Sequence, residues 1–436
     1  MSLLLSTLLL SAAFDGQAAL RHASALAALG PHPWGSPRAL AAAQYVATQF
    51  REVGLGEVRL QDFDTGGIHG VNVAGWLPGP GSEFIVIGAH HDTAPGAPGA
   101  YDDGGGVGVV IEAARVLARQ RSRKRSLVFV TWDGEEAWST GRGTTTGSRA
   151  FIRQLGATAR DMVAAVDVEM CGWKGGTPSV HPVPYADPLR PGRYQVVPGW
   201  AVAAALRGSR SAGTPLRVGD PLLSWLYQPA VRTFRVKFYG DDLSFEQAGL
   251  PAIFLSDSSF TAFYPWYHQP TDTAERIEAP ALARMGQAVL GVVDELSRVK
   301  RGPAEEPQWF AVFGRVAGWP ILIGLALLSV VPGVVFASSA RGGVLGLRLF
   351  QAALFGVFFW RHPVPALWIF LLPNVVGGLP RKRGGVALAV LPLLALLVLG
   401  TVAWLRGFAS GVWMAGWELA IGAMAFAFVW AAPPRS

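Results

Sequence analysis

Leu127-Val128-Phe129-Val130-Thr131-Trp132-Asp133-Gly134-Glu135-Glu136 decides how this chain is read. The apolar run 127–132 has the length and β-branched content of a buried strand, and it runs straight into three carboxylates set around a glycine. Adjacent glutamates at a strand end are costly unless a cation lies between or beside them. A division of labour answers that cost, with one glutamate binding metal and the other accepting a proton. Viewed alone, the same residues also read as solvated loop acids, so the weight falls on whether the pattern recurs.

It recurs along the chain. The run 84–88 leads into Gly88-Ala89-His90-His91-Asp92-Thr93, where a strand-end histidine is followed two residues later by a carboxylate. That spacing suits a metal ligand whose second ring nitrogen is held by its neighbour. Tyr101-Asp102-Asp103-Gly104-Gly105-Gly106 then opens a helical stretch at 106–119. A carboxylate there can bridge two cations, the glycines allow close backbone approach, and Asp103 can also cap the helix. Two carboxylates at the mouth of this loop, with no Gly-Lys-Ser/Thr after it, speak against a phosphate cradle.

The strand 162–168 ends in Asp167-Val168-Glu169-Met170-Cys171-Gly172, and 252–255 reads as a further buried strand. Tyr264-Pro265-Trp266-Tyr267-His268-Gln269-Pro270-Thr271-Asp272-Thr273 comes after it, preceded by Gly240-Asp241-Asp242. Helical spacing over 18–54, broken by Pro31, Pro33 and Pro37, a strand at 58–63 and a helix at 279–298 complete the pattern. Strands alternating with helices predict an α/β fold with a mostly parallel mixed sheet flanked by helices, its chemistry at the carboxyl ends of the strands. The Gly-, Pro- and Arg-rich stretch 173–237 reads as an insertion over that rim.

Composition sets the C-terminal third apart from this α/β region. Of 436 residues 51% are hydrophobic and 15% charged, an apolar excess for a soluble chain. The excess lies in 308–436, which holds nine Lys and Arg but one carboxylate, Glu418. The net charge of +7 therefore belongs to basic loops around apolar runs, and no nucleic-acid partner is implied. Apolar runs near 319–338, 344–360, 364–378, 386–405 and 412–431 predict about five membrane-spanning helices in a lipid bilayer, although some fall short of the usual ~20 residues and four is a workable count. With five, Arg341, Arg348, Arg381, Lys382, Arg383 and Arg435 share one side. Arg315, Arg361 and Arg406 share the other with the catalytic domain, which the positive-inside tendency places on the non-cytoplasmic face. The expected organisation is an apolar N-terminal segment at 1–13, signal-like or an anchor remnant; a hydrolytic domain at 14–301; a linker at 302–308; and the membrane region at 309–436. A single cysteine, Cys171, excludes an intrachain disulfide.

The five motifs, in this order and near this spacing, resemble metallopeptidase family 28, the di-zinc aminopeptidases and carboxypeptidases, over roughly residues 20–298. The resemblance implies a zinc-exopeptidase-like fold with two Zn2+ per chain: His90 and Glu169 on one ion, Glu136 and His268 on the other, Asp102 bridging. It also implies that Asp92 orients His90, that Glu135 is the general base, and that Tyr267 donates to the developing oxyanion of a peptide substrate. Most relatives carry Asp where this chain has Glu169, which leaves Asp167 as the other candidate. The endoplasmic reticulum metallopeptidase branch is similar in using Glu there and in its multi-spanning C-terminal part. The usual His after the late Asp is replaced by Leu243, and 139–147 is longer than in simple relatives. A single-zinc, glutaminyl-cyclase-like acyltransferase and a non-catalytic receptor-like module are the competing readings.

Overall fold

The computed structural model describes residues 14–303, apart from 121, 142–143, 182–184, 187–193, 196, 220–239 and 259–262, together with 309–312 and 315–318. The expected N-terminal segment, most of the linker and all five expected membrane helices lie outside the described residues. Among the described residues no helix is long and apolar enough to cross a membrane. The chain divides into two units, the first of them holding the described residues from 14 to 303. The α/β domain lies in the first.

Its strands are β1 (Glu57–Thr65), β2 (Ile68–Leu77), β3 (Phe84–His90), β4 (Ser126–Trp132), β5 (Met162–Val168), β6 (Ser179–His181), β7 (Tyr185–Ala186), β8 (Tyr194–Gln195), β9 (Arg217–Val218) and β10 (Ala252–Ser256). Eight of them form one sheet in the order β1-β2-β4-β3-β5-β10-β6-β9, while β7 and β8 pair separately. The centre is parallel, β4 with β3, β3 with β5, and β5 with β10. The β1–β2 hairpin joins one side antiparallel and β6 the other, making the sheet mixed. β3 and β5 are buried throughout, which is why both are read as unbroken apolar runs in the sequence.

Among the described residues seven α-helices cover the faces: α1 (Gly16–Ala27), α2 (Pro37–Glu52), α3 (Gly105–Ala118), α4 (Thr146–Leu155), α5 (Gly199–Ser211), α6 (Asp242–Gln247) and α7 (Ala279–Leu296). The helical spacing over 18–54 resolves into α1 and α2, with Ser36 capping α2 and Pro37 at its first turn. α3 is buried over almost its whole length, on both sides of its axis, because it lies between the sheet and α1 and α7. Its first turn must be glycine: a Cβ on Gly105 would stand 2.0 Å from the Cys171 carbonyl oxygen, and one on Gly106 2.2 Å from that of Val168. This contact draws the Asp102 turn against the end of β5. Under the opposite face Trp132 meets Phe151 and Phe245 edge-on, at ring separations of 6.4 and 5.7 Å, and anchors the end of β4. The stretch 173–237 supplies β6, β9 and α5, the last packed along α7.

Candidate metal centre

The four parallel strands finish at one rim, and each delivers a polar group there. His90 is the last residue of β3, Glu135 and Glu136 lie just beyond β4, Glu169 comes directly after β5, and the loop after β10 returns Tyr267 and His268. Asp102 comes from the turn between β3 and α3. His90, Asp102, Glu135, Glu136 and Glu169 are each 5% exposed or less, and His268 is half-buried.

Three sets of these side chains have ligand atoms within 4.8 Å of one another: His90, Asp102 and Glu169; Asp102, Glu136 and His268; and His90, Glu135 and Glu136. Asp102 belongs to the first two. One carboxylate oxygen lies 3.3 Å from His90 Nε2 and the other 3.1 Å from His268 Nε2. His268 Nε2 is also 2.5 Å from Glu136 Oε1. Yet His268 Nε2, Asp102 Oδ2 and Glu169 Oε2 are buried without a satisfied hydrogen bond. Among these described side chains only His90 Nε2 and Asp102 Oδ1 are hydrogen-bonded to each other, and the orphaned atoms beside them, imidazole nitrogen and carboxylate oxygen, have the chemistry that fits a divalent transition ion such as zinc.

The electrostatics agree. Burial, and then the adjacent Glu136, push the Glu135 carboxyl well above its ordinary range; burial and then Glu135 do the same for Glu169. Asp102 is pulled the other way by His268 and His90 despite its burial, and the same two carboxylates, Asp102 and Glu136, hold His268 up at about 9. A cluster of buried carboxylates with two imidazoles is stabilised by a cation in its midst.

Neighbouring groups fix the geometry. Asp92 accepts the amides of Glu135 and Glu136, both at 3.0 Å, on its two oxygens, and its Oδ1 lies 3.5 Å from His90 Nδ1. It therefore ties the end of β3 to the turn after β4. Asp103 accepts the amides of Gly106 and Met170, joining the head of α3 to the end of β5. Asp167, the other candidate for the Glu169 position, accepts the Asp242 amide at 2.9 Å and belongs to none of the three sets, whereas Glu169 does. Tyr267 stacks on His268 with ring centres 3.6 Å apart. Its phenol is pushed up by burial and then by Asp102, and so stays protonated as a donor.

Sequence reasoning missed Asp272. It accepts the amides of Tyr101 and Asp102 at 3.0 and 3.3 Å and the Tyr264 hydroxyl at 2.8 Å, binding the Asp102 turn to the loop that carries His268. Asp257 was missed as well. It takes the Tyr101 hydroxyl at 2.5 Å and the Gly172 amide at 2.7 Å. His268 and Met170, both with positive φ although neither is glycine, sit beside the same rim.

A mixed α/β sheet with an imidazole and carboxylate centre at its carboxyl rim defines a metallohydrolase-type architecture. Residues 72–293 match the model of peptidase family M28, and this chain belongs to that family. The uncharacterized protein YfbL of Escherichia coli K12 is 30% identical over 59% of this chain and 80% of its own length. Leucine aminopeptidase 1 of Metarhizium robertsii is 27% identical over 52% of this chain, which spans only about half (54%) of that relative. Among solved structures, BSAP, a zinc aminopeptidase from Bacillus subtilis, covers 67% of this chain and 98% of its own at TM-score 0.50 and 16% identity. A glutaminyl cyclase from Porphyromonas gingivalis covers 65% and 98% at TM-score 0.51 and 20% identity. The two likenesses are equal in size, so the fold alone does not separate peptidase from cyclase.

Proposed function

We propose that the chain is a membrane-anchored di-zinc aminopeptidase. The observation that carries this reading is the position of Asp102, whose two oxygens face His90 on one side and His268 on the other. In this reading His90 and Glu169 hold one ion, Glu136 and His268 the other, and Asp102 both. Two sets sharing a carboxylate favour two ions over the single zinc of a cyclase-like acyltransferase, and the full ligand complement speaks against a non-catalytic module.

Zinc held there supplies Lewis acidity toward a scissile carbonyl and an attacking water. Glu135, buried and outside the assigned ligand set, takes the proton from that water and delivers it to the leaving amine. Asp92 keeps His90 in the required tautomer and orientation. Tyr267 directs its hydroxyl to the oxygen on which charge develops. The composition of 308–436 supports anchorage in a bilayer, and the distribution of its Arg and Lys supports a catalytic domain on the non-cytoplasmic side.

The test is the full chain in detergent, loaded with zinc and given a peptide mixture in free and N-acetylated forms. Release of single amino-terminal residues from the free peptides alone is the expected result. Equal cleavage of the acetylated peptides overturns the aminopeptidase assignment, and loss of ammonia from amino-terminal Gln without hydrolysis replaces it by the cyclase reading. Retention in the membrane fraction through an alkaline wash tests the anchor separately.

A further inference from the structure

The rim carries an aromatic residue that neither the fold nor the proposed mechanism uses. Trp138 lies on the short 3-10 turn Ala137–Thr140, two residues after Glu136, and is 49% exposed, one of four large hydrophobic residues that are exposed among those described. An indole left half in water contributes little burial, so its position calls for another reason. Its contacts supply one. The Trp138 Nε1–H donates to Glu136 Oε2, while the second oxygen of the same carboxylate, Oε1, faces His268. The indole ring also stacks on the His268 imidazole, with centres 5.7 Å apart and planes 15° from parallel.

From these contacts we infer that Trp138 is a positioning residue for one metal subsite alone, the one formed by Glu136 and His268. The indole N–H occupies one oxygen of Glu136 and turns the other inward, and the ring sets the plane of His268. One side chain thereby touches both ligands of that subsite, with Tyr267 stacked on His268 as well. His90 and Glu169 form a ligand set with Asp102 that does not include His268, and although His90 also lies near Glu136 the pair is fixed by Asp92 and by the β5–β10 pairing, the Glu169 amide donating to Leu255. The two ions consequently depend on Trp138 unequally. Groups that orient a ligand in this way typically account for ~10–100-fold in metal affinity.

This inference rests on the two-ion reading, and the experiment keeps the two apart. The full chain is stripped with a chelator and titrated with zinc against a chromogenic competitor. The unsubstituted chain takes up two ions. Trp138→Ala weakens one binding step by ~10–100-fold and leaves the other unchanged. Trp138→Phe, which keeps the stacked ring and loses the N–H, falls between them. In a His90→Ala background, where the Glu136–His268 subsite remains, adding Trp138→Ala weakens the remaining ion; in a His268→Ala background it has no effect. Two ions with equal loss at both steps, or no loss at either, overturn the role of Trp138. Uptake of fewer than two ions by the unsubstituted chain overturns the two-ion reading instead, and the inference with it.

Discussion

Asp102 Oδ2 and His268 Nε2 stand 3.1 Å apart, although the two residues are 166 positions apart in the sequence. Bringing them together takes the glycine-tight turn before α3 and the loop after β10. Asp102→Asn keeps the shape of the side chain but removes the charge that faces two imidazoles. At least one ion should then bind ~100-fold more weakly, measured as metal content after dialysis against a chelator. A variant that keeps two ions under those conditions contradicts the bridging role.

Glu135→Gln should leave metal content unchanged and lower kcat by ~10²–10⁴, the usual range for a general base. The comparison is made at matched zinc occupancy. Turnover retained in that variant removes Glu135 from the mechanism.

Asp92 is the acceptor for two buried amides. Asp92→Ala strands both, at about 1–3 kcal/mol each, and removes the carboxylate that faces His90 Nδ1. Denaturation should show a loss of about 2–6 kcal/mol, with Asp92→Asn, which keeps one acceptor oxygen, losing less. Equal stability of the alanine variant and the parent contradicts this.

Asp257 predicts a pH dependence away from the metal ligands. Burial pushes its carboxyl from 3.8 up to about 7. Between those values the folded chain holds a proton that the unfolded chain has released. Its contribution to stability is therefore full below about pH 4 and is lost as pH rises towards 7, at up to about 1.4 kcal/mol per pH unit. Asp257→Asn removes the ionisation at the expense of one hydrogen bond to Tyr101 or Gly172. Denaturation of both proteins between about pH 4.5 and 7.5 should show the stability difference moving in favour of the variant as pH rises. A constant difference overturns the assignment.

How far the sequence reveals this molecule depends on the range of the interaction concerned. β3, β4, β5 and β10 are legible because a strand buried on both faces must be continuously apolar, and the polar residues at their ends are legible by contrast. β2 is not, because Gly70 and Gly75 interrupt Ile68–Leu77 and weaken the β signal. α4 is hidden by its opening Thr146-Gly147-Ser148, which reads as loop. Asp272 and Asp257 escape for a different reason. Their partner Tyr101 is 171 and 156 residues away, so neither local pattern nor spacing points to the contact. Between Asp167 and Glu169 strand periodicity gives no preference, since both side chains leave the same face. The amide of Asp242, which occupies Asp167, and the convergence of Glu169 with His90 and Asp102 distinguish them.

The most direct test of the central claim is diffraction from zinc-loaded crystals on either side of the zinc absorption edge. Two anomalous peaks, one against His90 and Glu169 and the other against Glu136 and His268, with Asp102 in contact with both, are the result expected. A single peak, or two peaks of which Asp102 touches only one, contradicts the shared-carboxylate centre.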